Sequence, residues 1–228
     1  MELNQKALDF HSENQGKVGT HLKSPIEDKE TLGLAYTPGV ADPCKVIAED
    51  VNKVYDYTWK GNTVAVVSDG SAVLGLGDIG PEASLPVMEG KCNLLKQFGN
   101  VDAVPVVLNT QDPQEIINIV KAISPTYGGT NLEDISAPRC VEIERQLIKE
   151  LDIPVFHDDQ HGTAMVVAAG IINALKLVNK KAEECTVVVS GTGAAGNSII
   201  RMMNLLNMKE IYGFNHEGII IKEDADQY

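Results

Sequence analysis

Short apolar segments alternate with helical segments along most of this chain, and this alternation restricts its fold more than any other feature. The apolar runs predict buried strands at residues 63–68, 101–108 and 153–157, with a weaker strand at 127–132. Between them, the sequence DPQE at 112–115 predicts a helix start, with an N-cap Asp, a Pro at the first helical position and a Glu at the third. Parallel strands need crossovers, which are usually helical. The sequence therefore predicts an α/β fold with a parallel sheet.

A second unit follows the first. Thr163 is predicted to cap a long helix that is apolar around nearly its whole circumference, so we expect a buried helix that connects the two units. A strand at 185–190, a glycine turn, a helix at 194–206 and a strand at 210–214 come next. This is one βαβ unit, whereas a complete dinucleotide-binding domain has two such halves. We predict a first domain over residues 1–160 and an incomplete Rossmann-type domain over residues 161–228.

Charge and composition exclude several classes of protein. The chain of 228 residues has 19 basic and 32 acidic residues, and the formal charge of −13 opposes binding to nucleic acid. No stretch approaches the roughly 18 apolar residues that suggest a membrane span, and the N-terminal residues have no apolar signal core. The four cysteines lack the paired spacing of zinc or redox sites. We expect a cytoplasmic protein that binds neither nucleic acid nor a membrane.

Two acidic pairs, Glu133–Asp134 and Asp158–Asp159, stand where predicted strands end. Such pairs are usually solvated surface charge, but two of them at strand ends of one α/β domain favour a ligand site, because ligands gather at that edge of the sheet. Neighbouring side chains on an extended segment point to opposite faces, so Glu133 and Asp134 can hold one ion only if the backbone turns there. Oxygen ligands favour Mg²⁺ or Mn²⁺ over zinc.

Three other polar residues, Lys91, His157 and His161, each have a functional and a structural interpretation. Lys91 lies on a mostly apolar helical segment, either as a surface lysine or, if near the strand ends, as a base whose pKa is lowered by desolvation. His157 and His161 flank the second acidic pair. Each could be a metal ligand; alternatively, His157 completes a strand and His161 lies in the turn before the helix.

The glycine fingerprint GTGAAG comprises Gly191, Thr192, Gly193, Ala194, Ala195 and Gly196. The motif alone is weak evidence, but a strand before it, a helix after it and a second strand ending about 20 residues on favour a dinucleotide site over a structural turn. Asn215 replaces the acidic residue that usually accepts from the ribose hydroxyls. Asn215 would not repel a 2′-phosphate, yet no Arg or Lys lies within the segment FNHEG (214–218), and the one nearest to that segment is Lys222. We therefore expect NAD, with NADP possible.

Six segments resemble those of malic enzymes, in the order of that family and in its compact bacterial form. They are YTPGVA (36–41), SDGSAVLGLGDIG (68–80), PVMEGK (86–91), NLEDI (131–135), FHDDQHGTA (156–164) and GTGAAG (191–196). The resemblance covers nearly the entire chain. FHDDQHGTA following NLEDI is its most specific part.

The resemblance implies oxidative decarboxylation of malate to pyruvate and CO₂, with reduction of NAD(P), dependence on Mg²⁺ or Mn²⁺, and a homodimer. The positions that match the family's site are the metal ligands Glu133, Asp134 and Asp159, the general base Lys91, the lysine's partner Asp158 and the general acid Tyr36.

Two departures leave alternatives open. Ala72 occupies the place of an arginine that holds a malate carboxylate in larger members, so the Thr37–Gly39 backbone is a candidate for that role. The family's substrate-holding asparagines belong to the second half of the nucleotide domain, which the chain does not reach, so we expect very low turnover from these 228 residues. The alternatives are malolactic conversion of malate to lactate and a non-catalytic binding or assembly module.

Overall fold

The computed structural model describes residues 3–220, and Lys222 lies outside them. The helices are α1 (Leu3–Asn14), α2 (Lys29–Ala35), α3 (Ala41–Glu49), α4 (Val54–Tyr57), α5 (Pro81–Gly99), α6 (Pro113–Ile123), α7 (Arg139–Glu150), α8 (Asp158–Leu177) and α9 (Ala194–Leu205). The strands are β1 (Thr63–Ser68), β2 (Asp102–Val107), β3 (Gly129–Leu132), β4 (Val155–His157), β5 (Thr186–Ser190), β6 (Glu210–Asn215) and β7 (Gly218–Ile219). Short 3₁₀ turns lie at Val51–Lys53, Trp59–Asn62, Ser124–Thr126 and Ala182–Glu184.

The first sheet is parallel, with strand order β2-β1-β3-β4, and helices α5, α6 and α7 make its three crossovers. This confirms the predicted parallel α/β fold. Val67 of β1 pairs with Leu132 of β3, which in turn pairs with His157 of β4. Because the C-terminal ends of the three strands are in register to within one residue, the residues that follow them emerge at one edge of the sheet. That edge carries both acidic pairs.

Two buried clusters cover the two faces of this sheet. Val67 packs with α6 and α7, in a cluster that includes Ile116 and Ile143. Its neighbour Val66 packs with Met88 of α5 on the other face. Alternate residues of a strand point to opposite faces, so β1 is buried on both sides and reads as a continuous apolar run. The result is a three-layer unit with β1 at its centre.

The start of α6 confirms the helix signal in DPQE. Asp112 is the N-cap, and its carboxylate accepts a hydrogen bond from the Glu115 amide at 2.8 Å, while Pro113 occupies the first helical position. Pro is tolerated there because its missing N–H would have had no partner within the helix.

Helix α8 differs from the prediction in two respects. It begins at Asp158 with His157 as its N-cap, so Thr163 lies inside the helix and is not its cap. Acidic side chains are favoured in the first helical turn, and Asp158 and Asp159 supply that turn directly after β4. The predicted burial is also wrong for the described residues, because Met165 and Val166 are 57% and 73% exposed.

The second sheet has the order β5-β6-β7, with β5 and β6 parallel and β7 antiparallel to β6. Helix α9 makes the β5–β6 crossover and packs against α8. The strand β7 was not expected from the sequence. The boundary placed after residue 160 falls in the first turn of α8. Among residues 3–220, no helix is both long and apolar enough to cross a membrane.

The N-terminal helices lie outside the three-layer unit. Lys17, which follows α1, joins it to α5: its backbone N–H donates to Glu89 Oε2 at 2.9 Å, and its Nζ donates to the Pro86 carbonyl at 2.6 Å. Helices α2 and α3 bury no residue. Their apolar side chains are therefore available for contacts beyond this chain.

Candidate active site

The first acidic pair lies at a backbone turn at the end of β3. The Glu133 amide still donates to the Val67 carbonyl at 2.9 Å, which continues the sheet. Asp134 has a φ of 53°, in the left-handed region that non-glycine residues seldom occupy. This turn breaks the strand alternation that would send the two carboxylates to opposite faces. The condition set by the sequence is met, and Asp134 itself makes the turn.

The second acidic pair meets the first at this edge. Asp159, in the first turn of α8, accepts a hydrogen bond from the Asp134 amide at 2.9 Å through Oδ2. Ligand oxygens of Glu133, Asp134 and Asp159 lie within 4.8 Å of one another. The buried Oδ2 of Asp134 has no hydrogen-bond partner among the described residues. Three converging carboxylates, one with an unpartnered buried oxygen, fit a hard divalent cation such as Mg²⁺ or Mn²⁺.

Electrostatics agree with this geometry. Burial raises the pKa of Glu133 to about 7, although hydrogen bonds from Asn131 and Lys91 oppose the shift. Burial and the charge of Asp159 raise the pKa of Asp134 to about 6. Burial also acts to raise the pKa of Asp159. The His157 ring and the Asp134 amide act in the opposite direction and together outweigh burial, so the pKa of Asp159 is below its ordinary value. Positive charge placed among these groups would stabilise their ionised forms.

Lys91 of α5 lies at the same edge. Its Nζ donates to Asp158 Oδ2 at 2.6 Å and is 3.0 Å from Glu133 Oε1, and its side chain is only 21% exposed. It is therefore not an isolated surface lysine. Burial acts to lower its pKa, as expected, but the hydrogen bond to Asp158 and the charge of Glu133 raise the pKa above its ordinary value. The predicted lowering of this pKa is wrong, because the sequence did not show how close both carboxylates lie.

The two histidines have structural partners, and the three-carboxylate cluster contains neither of them. His157 completes β4, as predicted, and is fully buried. Its Nε2 is 3.0 Å from Asp159 Oδ2, the distance of an ion pair, although the alignment is not that of a hydrogen bond. Burial acts to lower the pKa of His157, but Asp159 and the Cys140 thiol raise it to about 9. His161 lies within α8 rather than in a turn, which corrects that expectation.

Glu144 of α7 organises the junction between β4 and α8, and the sequence reading missed it. This buried carboxylate accepts from the His157 amide at 2.7 Å, from Gln160 Nε2 at 3.3 Å and contacts His161 Nε2 at 2.9 Å. It lies between Ile143 and Leu147 on the buried face of its helix. A glutamate within that apolar period was the available signal.

Arg139, at the start of α7, ties together two loops at the strand ends and was also missed. Its guanidinium donates to Asp69 Oδ2 at 3.0 Å, to Ser71 Oγ at 3.0 Å and to Ser136 Oγ at 2.8 Å. In the loop after β1, Gly70 has a φ of 68°, and a Cβ there would lie 2.2 Å from the Gly80 carbonyl oxygen. The backbone of this loop therefore folds back on itself so closely that only glycine fits at residue 70.

The fingerprint glycines form a tight strand-to-helix turn. Gly191 has a φ of 96°, and a Cβ on Gly196 would lie 1.9 Å from the Gly191 carbonyl oxygen, so only glycine lets α9 pack this closely on the turn. A Cβ on Gly193 would meet no atom within 4 Å. The buried Thr192 Oγ1 has no hydrogen-bond partner among the described residues.

A cleft of about 1310 Å³ separates the glycine turn from α7. Its lining includes residues of the turn and α7, together with Asn215 and His216 at the end of β6. Asn215 Oδ1 accepts from the amides of Glu217 at 2.8 Å and Gly218 at 3.0 Å, so this oxygen holds the turn into β7. The end of β6 thus reaches the cleft, with the asparagine oxygen committed to the backbone.

Tyr36 and Ala72 differ in how close they lie to the acidic residues. Tyr36, the C-cap of α2, is 68% exposed, and none of the contacts recorded for residues 3–220 joins it to Lys91. Ala72 is exposed, but its amide donates to the Asp134 carbonyl at 2.9 Å. The structure therefore brings Lys91, Asp158 and the three carboxylates together and leaves Tyr36 on the surface.

Known proteins match this chain closely. A bifunctional malic/malolactic enzyme of Bacillus subtilis is 56% identical over 220 residues, which are 96% of this chain and 54% of the relative. An NAD-dependent malic enzyme of Geobacillus stearothermophilus is 57% identical over 92% of this chain and 44% of its own length. The crystal structure of an NAD-dependent malic enzyme of Thermotoga maritima superposes with a TM-score of 0.93 at 52% identity, covering 97% of this chain and 59% of that one. The chain spans about half the length of the curated relatives it matches.

Family-level comparison divides the match into two parts. Residues 15–148 match the malic enzyme N-terminal domain, and residues 160–222 match the malic enzyme NAD binding domain. The first match alone covers more than half of the chain, and it contains Lys91 and the Glu133–Asp134 pair. The chain therefore belongs to the malic enzyme family.

Proposed function

We propose that this chain carries the malate- and metal-binding part of an enzyme that oxidatively decarboxylates malate to pyruvate and CO₂, with reduction of NAD or NADP. The observation that carries the proposal is the ion pair between Lys91 and Asp158 beside the three converging carboxylates. Residues 1–160 would bind malate and metal, and residues 161–228 the dinucleotide.

Glu133, Asp134 and Asp159 would hold a Mg²⁺ or Mn²⁺ ion. Such a cation supplies positive charge that stabilises the negative charge left when CO₂ departs. The residues themselves contribute a fixed arrangement of oxygens, since the Asp134–Asp159 hydrogen bond and the turn at Asp134 hold two of the carboxylates in place.

Lys91 would act as the base that removes the proton from the C2 hydroxyl of malate, while the hydride from C2 passes to the nicotinamide. Its raised pKa means that the resting amine is protonated, so it must first release that proton. The hydrogen bond to Asp158 offers the path, because this carboxylate is in contact with Lys91 Nζ and is partly exposed to solvent. Asp158 therefore serves as the proton relay partner of Lys91.

Tyr36 would protonate the enol to give pyruvate, and this assignment rests on its position in the YTPGVA motif. Carboxylate recognition by the Thr37–Gly39 backbone rests on the same segment. Both roles require the exposed α2–α3 region to approach a substrate bound at Lys91.

Malolactic conversion of malate to lactate is the second candidate. It is favoured by the Bacillus subtilis relative, which is named as both a malic and a malolactic enzyme. In that reaction the cofactor is not released in reduced form.

A homodimer is the proposed assembly. Four strongly exposed apolar residues of the N-terminal region support it: Leu22, Leu34, Tyr36 and Val51. Exposed apolar surface on a folded chain is often covered by a partner, and symmetric dimers are the commonest oligomers.

Product analysis tests the proposed reaction. The chain is incubated with malate, Mn²⁺ and either NAD or NADP, while absorbance of the reduced nicotinamide is followed and the acids are identified by chromatography. One reduced cofactor per pyruvate supports the oxidative reaction, and lactate without reduced cofactor supports the malolactic one. Absence of Mn²⁺-dependent malate binding in calorimetry, together with absence of both products, would contradict the assignment of residues 1–160.

A further inference from the structure

The cleft beside the glycine turn has a wall supplied by the first domain. Helix α7 lines it along its whole length, from Arg139 to Lys149, and faces the glycine turn and the end of β6. An α-helix rises about 1.5 Å per residue, so these ten steps cover about 15 Å. The cleft therefore offers an extended ligand a long surface that the glycine fingerprint does not reveal.

The two ends of this wall are not equivalent. The N-terminal end of α7 follows directly from the loop that carries Asp134 and Ser136, and Arg139 is bonded to Ser136. The nicotinamide must reach the substrate at that end if hydride transfer is to occur. The adenosine then lies toward the other end, where Arg145 and Lys149 line the cleft with Asn215 and His216 of the second domain.

Arg145 and Lys149 are four residues apart and so share one face of the helix. Neither has a hydrogen bond or an ion pair with any of residues 3–220, unlike Arg139, whose guanidinium is used by Asp69 and Ser71. Glu142 is the acidic residue in the described lining, so the cleft has an excess of positive charge in a chain whose formal charge is −13. Two uncommitted cations facing a dinucleotide cleft suit an anion.

The end of β6 supplies little of that charge. In dinucleotide-binding domains, an acidic residue or a nearby arginine at this strand end usually distinguishes NAD from NADP at the ribose. Here the position is Asn215, whose Oδ1 accepts the hydrogen bonds of the β6–β7 turn. His216 is strongly exposed and lies 3.9 Å from Glu217. Among the residues that the structure describes along this cleft, the Arg and Lys side chains that can meet a phosphate on the ribose therefore lie on α7.

We infer that Arg145 and Lys149 bind the 2′-phosphate of a phosphorylated nicotinamide dinucleotide, so that a helix of the first domain recognises the cofactor's phosphorylation. This inference rests on the proposed function, which places a dinucleotide in the cleft. It changes the expected preference from NAD to NADP, because the charge absent from the β6 end is supplied across the cleft.

The test compares two ligands that lack the nicotinamide, ADP-ribose and 2′-phospho-ADP-ribose, by calorimetry on the 228-residue chain. The charge-removing variant is R145A/K149A, and the matched control is K176A/K180A, which removes two exposed positive charges from the end of α8 and the residues after it. Hydrogen bonds to charged groups contribute about 1.5–3 kcal/mol, or about 10- to 100-fold in affinity. We expect the phosphorylated ligand to bind the unaltered chain at least about tenfold more tightly, and R145A/K149A to lose about 10- to 100-fold for that ligand alone.

The outcomes separate this inference from the proposal beneath it. Unchanged binding of both ligands by R145A/K149A would overturn the inference and leave the dinucleotide site in place. Equal losses for both ligands, or an equal loss in K176A/K180A, would overturn it as well, since neither result is specific to the 2′-phosphate. If the unaltered chain bound neither ligand, the proposed dinucleotide site would fail, and this inference with it.

Discussion

Single residues at the end of β3 determine whether the edge of the sheet can bind a cation. Asp134 adopts a left-handed backbone conformation that costs a non-glycine residue about 1 kcal/mol or more. In that conformation its amide donates to Asp159 and its carboxylate joins the other two. A conformation that is unfavourable for the isolated residue is thus held by contacts with a second acidic pair 25 residues later in the chain.

Replacement of Asp159 by Ala should abolish most Mn²⁺ binding. Loss of groups that merely orient a metal ligand costs about 10- to 100-fold in affinity, so we expect loss of a ligand to cost at least about 100-fold. Calorimetric titration with Mn²⁺ measures it. Asp152→Ala, which removes an exposed carboxylate from the loop before β4, is the matched control. Equal Mn²⁺ affinity in the two variants would place the metal elsewhere.

The stability of the metal-free chain should fall as the pH rises from about 4.5 to about 7. Burial raises the pKa of Glu133 from 4.5 to about 7 and that of Asp134 from 3.8 to about 6. In this range the folded chain binds more protons than the unfolded chain, so the free energy of unfolding decreases with pH. Thermal unfolding at a series of pH values measures the trend. Saturating Mn²⁺ should reverse it, because the metal binds the deprotonated carboxylates. A melting temperature that rises over this range without metal would contradict the prediction.

At the scale of elements, the junction from β4 to α8 positions half of the candidate site. Glu144 of α7 holds this junction through the His157 amide and the side chains of Gln160 and His161. Asp158 and Asp159 lie between these contacts. The orientation of both carboxylates therefore depends on a buried group that touches neither of them in the described contacts.

Glu144→Gln should weaken Mn²⁺ binding as well as the fold. The new amide N–H₂ would face groups that donate to the carboxylate, and an unsatisfied buried polar group costs about 1–3 kcal/mol. We expect Mn²⁺ affinity to fall by about 10- to 100-fold, as for other groups that orient metal ligands. Glu183→Gln, at an exposed site in the turn before β5, is the control. Reduced stability with unchanged Mn²⁺ affinity would mean that Glu144 serves the fold alone.

Two substitutions in the glycine turn should have different effects, one on stability and one on ligand binding. Gly196→Ala places a Cβ against the Gly191 carbonyl oxygen, and overpacking of this kind costs about 1–3 kcal/mol, so denaturant unfolding should report a less stable chain. Gly193→Ala meets no atom within 4 Å and should cost less than about 1 kcal/mol. It should instead weaken binding of ADP-ribose, because the fingerprint glycines let the backbone approach the pyrophosphate. The reverse pattern would show that the roles of the two glycines are exchanged.

The sequence predicted the elements better than it predicted their contacts. Strands β1 to β6 were placed within two residues of their bounds, because β1, β2 and β5 are short apolar runs with little polar alternation, whereas β3 (GTNL) gave a weaker signal and β7 was missed. The two acidic pairs could be assigned to strand ends from these predicted bounds. The start of α8 was missed because a cap at Thr163 satisfies local rules as well as Asp158 does. Glu144, the raised pKa of Lys91 and the α7 wall of the cleft depend on residues far apart in the chain, which local patterns do not relate.

At the scale of the whole molecule, helices α2 and α3 should mediate self-association. Leu34 is 69% exposed on α2, a helix with no buried residue. We expect a dimeric mass by light scattering, and a shift toward monomer in Leu34→Asp, since a buried charge without a partner is costly at an interface. Asn118→Asp adds the same charge to an exposed position of α6 and should leave the dimer intact. A monomeric mass for the unaltered chain would contradict this assembly.

The cleft between α7 and the glycine turn has walls from two different units, and this has a thermodynamic consequence. A ligand that fills it contacts both units at once. The free energy of ligand binding therefore includes the free energy of holding the two walls in place. Helix α8 links β4 to the second unit. Any mutation that destabilises α8 should then lower the affinity for the ligand, even if the mutated residue does not contact it. Conversely, the bound ligand should reduce the motion of the segment between α8 and β5. Protease cleavage near residues 178–185 should therefore be slower when the cleft is occupied.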